Sequence, residues 1–160
     1  MTDRLGLRPL RQDEYEAWHA QEIEEYARDI TVNGNTPAEA ARAKAVMDMA
    51  EVLPDGLATR GHHVFVLELA GEPVGRLWLA EREIDGRQVI YVYDIEIDTA
   101  YRGRGLGRAA MELAETESRS RGFQRIELNV FGGNEIARRL YRSLGYVDRA
   151  VRMAKDLGPA

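Results

Sequence analysis

The sequence predicts an α/β domain built on one mixed, mostly antiparallel sheet with helices on both faces. Three observations predict it. Three strand-like runs, His63–Leu69, Val74–Glu83 and Gln88–Ile97, follow one another through tight turns, so they should pair antiparallel. A further strand-like run, 126–131, is joined to 89–97 through a helix, which requires a parallel pair with a right-handed crossover. Finally, the 160 residues hold no linker, repeat or low-complexity stretch, so one domain is expected over 1–160.

The elements follow in order. Leu5–Leu10 reads as a first strand, with Pro9 marking an edge or a strand end. Asp13–Ile30 reads as a helix, because Tyr15, Trp18, Ile23, Tyr26 and Ile30 form one apolar stripe. Val32–Asn35 reads as a turn. Thr36 then reads as a helix cap, with Pro37 at the first position and Glu39 closing a capping box. That helix continues to Leu53, and Pro54-Asp55-Gly56 stops it. Gly71-Glu72-Pro73 breaks the first two strands of the meander, and Asp85-Gly86 is a hairpin turn. A helix runs on to Arg121 and closes at Gly122. Ile126, Leu128 and Val130 alternate as a strand. Asn134 caps a short helix through Leu144, with Gly145 as its stop, and Tyr146–Met153 reads as a last strand. The whole order is β-α-α-β-β-β-α-β-α-β.

Composition narrows the function. With no cysteine, disulfides, thiolate metal sites and a cysteine nucleophile are excluded. The net charge of −5 disfavours nucleic acid as the main ligand. No stretch approaches the length of a membrane span and the N-terminus does not read as a signal peptide, so a cytoplasmic protein with no membrane partner is expected, as monomer or homodimer. The three histidines, His19, His62 and His63, lack metal-ligand spacing, and no metal is expected. Ser118, Ser120 and Ser143 have no partner motif for a serine hydrolase.

The most informative stretch is Arg102-Gly103-Arg104-Gly105-Leu106-Gly107-Arg108. It lies between a strand and a helix that opens near Arg108. Glycine lets the backbone approach a ligand closely, and the unpartnered first amides of a helix favour an anion such as phosphate. No P-loop lysine follows, and the spacing is not that of a dinucleotide fingerprint. Arg102-x-x-Gly105-x-Gly107 instead resembles the pyrophosphate loop of the GCN5-related N-acetyltransferase (GNAT) superfamily. A second segment, Asn134-Glu135-Ile136-Ala137-Arg138-Arg139-Leu140-Tyr141-Arg142-Ser143-Leu144-Gly145-Tyr146, is similar to that superfamily's N-x-x-A-x-x-L-Y-x-x-x-G-F motif, with Tyr146 in place of Phe. The order of elements matches as well, and residues 22–26 and 53–56 resemble an uncharacterised bacterial subgroup.

The resemblance implies the acyl-CoA N-acyltransferase fold, with a central parallel pair of strands that splay apart. It also implies transfer of an acetyl group from acetyl-CoA, as co-substrate, to an amine of a small molecule, peptide or protein by direct attack in a ternary complex. Residues 102–108 would hold the pyrophosphate. Backbone groups at Ile95 and Ile97, and Asn134, would hold the pantetheine arm, and Tyr141 would protonate the departing thiolate. The alternative is a non-catalytic acyl-CoA-binding regulatory module on the same fold, and Tyr141 favours the enzyme. From the residues themselves, Asp94 and Glu96 share one strand face. Glu96 there reads as a base, an ammonium anchor or an ion-paired surface acid. With Trp18, Glu22, Glu24, Glu25 and Tyr26 on the first helix, these acids make a lining suited to a cationic amine, with Tyr26 and Asp94 as acceptor contacts.

Overall fold

Five strands form one sheet in their sequence order: β1 (Leu5–Pro9), β2 (His62–Leu69), β3 (Glu72–Ile84), β4 (Arg87–Ile97) and β5 (Ile126–Leu128). The first four run antiparallel to their neighbours, and β5 joins β4 in parallel. The helices are α1 (Tyr15–Gly34), α2 (Ala38–Val52), α3 (Leu106–Ser120) and α4 (Glu135–Ser143). The computed structural model describes residues 4–159. The chain divides into two compact units, Met1–Leu128 with the sheet and the first three helices, and Asn129–Ala160 with α4.

Within the first unit the two sheet faces have separate cores. On one face Trp18, Ile23 and Ala27 of α1 and Ala45 and Met49 of α2 pack on Val64 and Trp78. On the other, Ala110 and Ala114 of α3 lie over Phe65, Leu67, Leu77 and Leu79. β2, β3 and β4 therefore feed both cores, with successive residues on opposite faces. β4 departs from that rule at one place. Trp78 pairs with Asp94 and Leu79 with Val92, so Tyr93 is an extra, bulged residue. The bulge resets the parity of the strand. Val92 before it and Ile95 and Ile97 after it all join the α3 side. Tyr93 stacks on Trp78 with ring centroids 4.6 Å apart, on the α1 side.

The hairpin at Asp85-Gly86 forms as the sequence dictates, with φ of 52° and 72°, the paired left-handed values of a type I′ turn. Several expectations need correction. Gly71-Glu72-Pro73 is not the break between strands: the turn is Ala70-Gly71, with φ of 53° and 84°, and β3 already begins at Glu72. Pro73 is accommodated because the β2–β3 register shifts beside it. The turn expected at 32–35 is instead the last turn of α1, where Thr31 and Asn33 bond back to the carbonyls of Ala27 and Asp29. Asn35, in the left-handed region at φ 50°, ends the helix. The capping box at Thr36 does not form. Pro37 is the N-cap, which places Glu39 at the second helical position, and Thr36 Oγ1 bonds the Gly34 carbonyl. β5 ends at Leu128 rather than Val130.

The expected last strand over Tyr146–Met153 is absent among the described residues. Alternation specifies a face, but a strand exists only with a ladder partner. Asp148 bonds Arg142 and lies within 3.8 Å of Arg138, while Val147, Val151 and Met153 are exposed. Asn134 does cap α4 as expected, its side-chain oxygen accepting from the Ala137 amide at 3.2 Å.

One glycine is demanded by packing. Gly75 pairs with Ile97, and a Cβ there would lie far inside van der Waals contact of the Glu96 carbonyl oxygen. Gly75→Ala should therefore destabilise the chain by about 1–3 kcal/mol, the usual cost of overpacking. Urea unfolding of the two proteins measures it, and an unchanged midpoint would mean that β3 and β4 part here without cost.

Candidate active site

Arg76 follows Gly75 on β3, on the α1 side of the sheet, with only 9% of its side chain exposed. Four carboxyl groups meet its guanidinium. Nε donates to Glu22 Oε1 at 2.6 Å and to Asp94 Oδ2 at 2.8 Å. Nη2 donates to Glu96 Oε2 at 2.8 Å and, in a closer contact, to Glu25 Oε2. The sequence brings them together simply. Glu22 and Glu25 lie about one helical turn apart on α1, Asp94 and Glu96 alternate on β4, and the register sets Arg76 opposite Glu96. The expected shared face of Asp94 and Glu96 is therefore present.

The four carboxyls are not alike. Burial pushes Glu22 up to about 9; the neighbouring Asp94 charge adds to this and Arg76 only partly offsets it. Glu22 thus keeps its proton at neutral pH and is hydrogen-bonded to Asp94. Asp94 is also raised, by burial first, but Arg76 and the bond from Glu22 pull against this. The shared proton therefore rests on Glu22, and Asp94 is the anion. Glu96 is raised by burial, with Arg76 opposing and the Glu25 charge and hydrogen bond reinforcing. With 30% of its side chain exposed, against 9% for Glu22 and 21% for Asp94, Glu96 is the more accessible acid. Burial disfavours the charge on Arg76, yet its carboxylate neighbours hold it above its ordinary value.

The glycine-rich turn begins five residues beyond the end of β4. Gly103 and Gly105 both have φ of 76°, a left-handed value that disfavours any other residue, and the space where a Cβ would project is open at each. Gly105 is the N-cap of α3, so Leu106 and Gly107 lie in its first turn, where helical amides lack an intrahelical acceptor. α3 therefore starts two residues before Arg108. Arg102 turns back toward β4. Its Nε donates to the Ile97 carbonyl at 2.8 Å and its Nη2 to Glu96 Oε1 at 2.9 Å. Arg104 lies over the Tyr101 ring, 5.5 Å from its centroid. Ile95 and Ile97 put their side chains into the α3-side core. The parallel pairing of β4 with β5 covers Ile90–Val92, and no ladder pair extends it toward Ile97 among the described residues.

Other sequence-predicted residues have different partners. Tyr26 donates to Asp48 Oδ2 of α2 at 2.8 Å rather than joining Asp94. Glu24 accepts from Arg42, and Trp18 lies in the core. His62 Nδ1 accepts from Trp78 Nε1 at 3.1 Å, and burial lowers its pKa, so it is a neutral packing residue. Among the described residues no group of three or more His, Cys, Asp or Glu side chains could hold a metal. In the second unit, Tyr141 lies on α4 with its ring 5.8 Å from that of Tyr146. Sequence reasoning missed Arg76. Its signal was a lone charge inside the apolar run Val74–Ala80 of a central strand.

The proton on Glu22 has a measurable consequence. Its folded pKa lies above the ordinary carboxylate value, so the folded chain binds the extra proton. Stability contributed this way is full below the ordinary carboxylate range and is lost as pH rises toward about 9. Glu22→Gln keeps the acceptor to Arg76 and a donor to Asp94 without needing the proton. It should flatten the fall in stability between pH 5.5 and 8.5 and be more stable than the parent at the alkaline end. Urea unfolding across that range decides it. Equal destabilisation at every pH would mean that Glu22 is ionised and simply paired with Arg76.

Known proteins share this fold and are similar in sequence. A family model described as the acetyltransferase (GNAT) family matches residues 10–146. The uncharacterised N-acetyltransferase YycN of Bacillus subtilis is 30% identical over 154 residues, covering 96% of this chain and 99% of YycN. A second B. subtilis protein, the uncharacterised N-acetyltransferase YdgE, is 27% identical over 152 residues, 94% and 97% of the two chains. The crystal structure of YycN matches this one with a TM-score of 0.90 at 29% identity, over 97% of this chain and 99% of that one. A GCN5-related N-acetyltransferase from Ralstonia eutropha shares the fold, with a TM-score of 0.69 at 23% identity over 96% and 98% of the chains. With β4, the glycine-rich turn and the Asn134 helix all inside the matched residues, the chain belongs to the GNAT family of acetyltransferases.

Proposed function

We propose that this chain is an acetyl-CoA-dependent N-acetyltransferase that acts on a cationic amine by direct attack in a ternary complex. The observation that carries this reading is the bridge made by Arg102. One side chain joins Glu96, the accessible carboxyl, to the end of β4 and to the start of the glycine-rich turn. An acid that can take a proton and a loop that can hold a pyrophosphate are thus built on one strand end.

In this reading the turn Arg102–Arg108 holds the pyrophosphate on backbone amides, with arginine side chains adding charge. Backbone groups at Ile95 and Ile97 and the Asn134 amide hold the pantetheine arm, and a strand N–H polarises the thioester carbonyl. Asp94 and Tyr26 belong to the acceptor side. Glu96 takes a proton from the acceptor ammonium, and the neutral amine attacks the thioester carbon. The C–N bond forms, the C–S bond breaks, Tyr141 gives the thiolate its proton, and the proton shed by the new amide nitrogen passes through water back to Tyr141. A phenol ordinarily keeps its proton at neutral pH and can donate it.

Thiol release from acetyl-CoA, screened against polyamines, amino acids, aminoglycosides and peptides, tests the activity. Turnover should favour cationic acceptors, and activity confined to anionic or neutral ones would count against the acid lining. Gly105→Asp puts a side chain and a negative charge at a left-handed position facing open space. Acetyl-CoA affinity, measured by calorimetry, should drop at least tenfold with the fold intact, and an unchanged affinity would remove the turn as the phosphate site. Tyr141→Phe should leave acetyl-CoA affinity nearly unchanged and slow the transfer step by about 10²–10⁴-fold. Near-normal single-turnover rates would move the protonation role to water.

A further inference from the structure

Two carboxyl–carboxyl contacts, not one, are gathered on Arg76. Glu22 meets Asp94 on the Nε side of the guanidinium, and Glu25 meets Glu96 on the Nη2 side. The first pair is deep. The second is more open, with 23% and 30% of the side chains exposed. Two carboxyl groups in contact favour taking up a proton between them, because two anions there repel. The first pair already holds its proton on Glu22. The second has room to gain one.

We propose that Glu25 of α1 is the positioning residue for the proton-accepting step, so that Glu96 and Glu25 work as one acid pair on a shared Arg76 nitrogen. This rests on the acetyl-transfer reading above and adds a residue to it. The proton lifted from the acceptor ammonium lands on Glu96 and is held by hydrogen bonding to the Glu25 carboxylate. The ammonium becomes a neutral amine, and the pair goes from two negative charges to one. After product leaves, the proton passes from Glu96 to water. Arg76 compensates the pair in both states, so the step needs no rearrangement of the strand.

The titratable and charged groups around Glu96 come from each element packed on it. α1 supplies Glu25, with Glu22 and Asp29 behind it; β3 supplies Arg76; β4 supplies Asp94; and the turn supplies Arg102. On α2, Asp48 instead accepts from Lys44 and from Tyr26. Removing the Glu25 charge therefore leaves both arginines on Glu96 with one fewer opposing anion, and Glu96 becomes a weaker base.

Glu25→Gln keeps the size and an acceptor for Arg76. In ¹³C NMR of protein labelled at glutamate carboxyls, the Glu96 signal, assigned by its loss in Glu96→Gln, should titrate about one pH unit lower in Glu25→Gln. The acid limb of kcat/KM should move down by the same amount, and its plateau should fall about tenfold with acetyl-CoA affinity unchanged. Glu25→Asp, which keeps the charge but draws it back, should fall between. An unmoved Glu96 titration in folded Glu25→Gln overturns the proposal. So would failure of both variants to fold, which would make Glu25 a structural tie. The titration needs no substrate: a parent protein that turns over no amine would defeat the acetyltransferase reading while leaving the pair to be judged by its own signal.

Discussion

The Arg76 guanidinium is the interaction on which the rest of this face depends. It is buried, it is bonded to both α1 and β4, and it is the common partner of four carboxyls that would otherwise repel. Removing one member of a buried ionic set costs about 3–5 kcal/mol, because the others are left uncompensated. Fold and candidate chemistry therefore share one contact. α1 is held over the sheet by apolar packing through Trp18 and Ile23, but its position along β4 is fixed by which carboxyl meets which nitrogen. Directional bonds of this kind specify geometry in a way that apolar contact does not.

β4 can serve both faces only because of its bulge. A strictly alternating strand would put Ile90 and Val92 on the same side as Asp94 and Glu96. That would leave either the α3 core without Ile95 and Ile97 or the acid cluster without its carboxyls. The extra residue at Tyr93 resolves the conflict by a change of parity, and stacking on Trp78 occupies the displaced ring. Gly75 is the counterpart on β3. The close approach of the Glu96 carbonyl leaves no space for a Cβ there. Bulge, glycine and arginine all lie within a few residues of one another on the paired strands.

Much of this architecture was legible in the sequence. Features carried by local chemistry were read correctly: the Asp85-Gly86 turn and the cap at Asn134. Features that depend on partners were not. Thr36 had the right chemistry for a cap, but Asn35 in a left-handed conformation ended α1 late and the next helix started one residue further on. Tyr146–Met153 had the right alternation, yet alternation names no partner strand. The carboxylates of the site were visible as a group. Their protonation was not, because it depends on burial and on Arg76, which a linear reading sees only as a misplaced charge in an apolar run.

A single residue type therefore occupies the cluster in two states. Glu22 and Glu96 both contact Arg76, and burial raises both. Glu22 has almost no access to water and answers Asp94, so it stays protonated and behaves as a neutral donor. Glu96 is partly open, contacts Glu25, and carries Arg102 on its other oxygen, and in the proposed reaction it is the group that takes the proton. A site that must accept a proton near neutral pH needs a carboxylate raised above its ordinary value without being neutralised altogether. Burial alone overshoots, as at Glu22, and full exposure achieves nothing. Sharing one cation between a deep pair and a shallow pair leaves Glu96 raised by burial but opposed by Arg76. The deep pair fixes the guanidinium in place, and the shallow pair is then tuned by a charge that cannot move away.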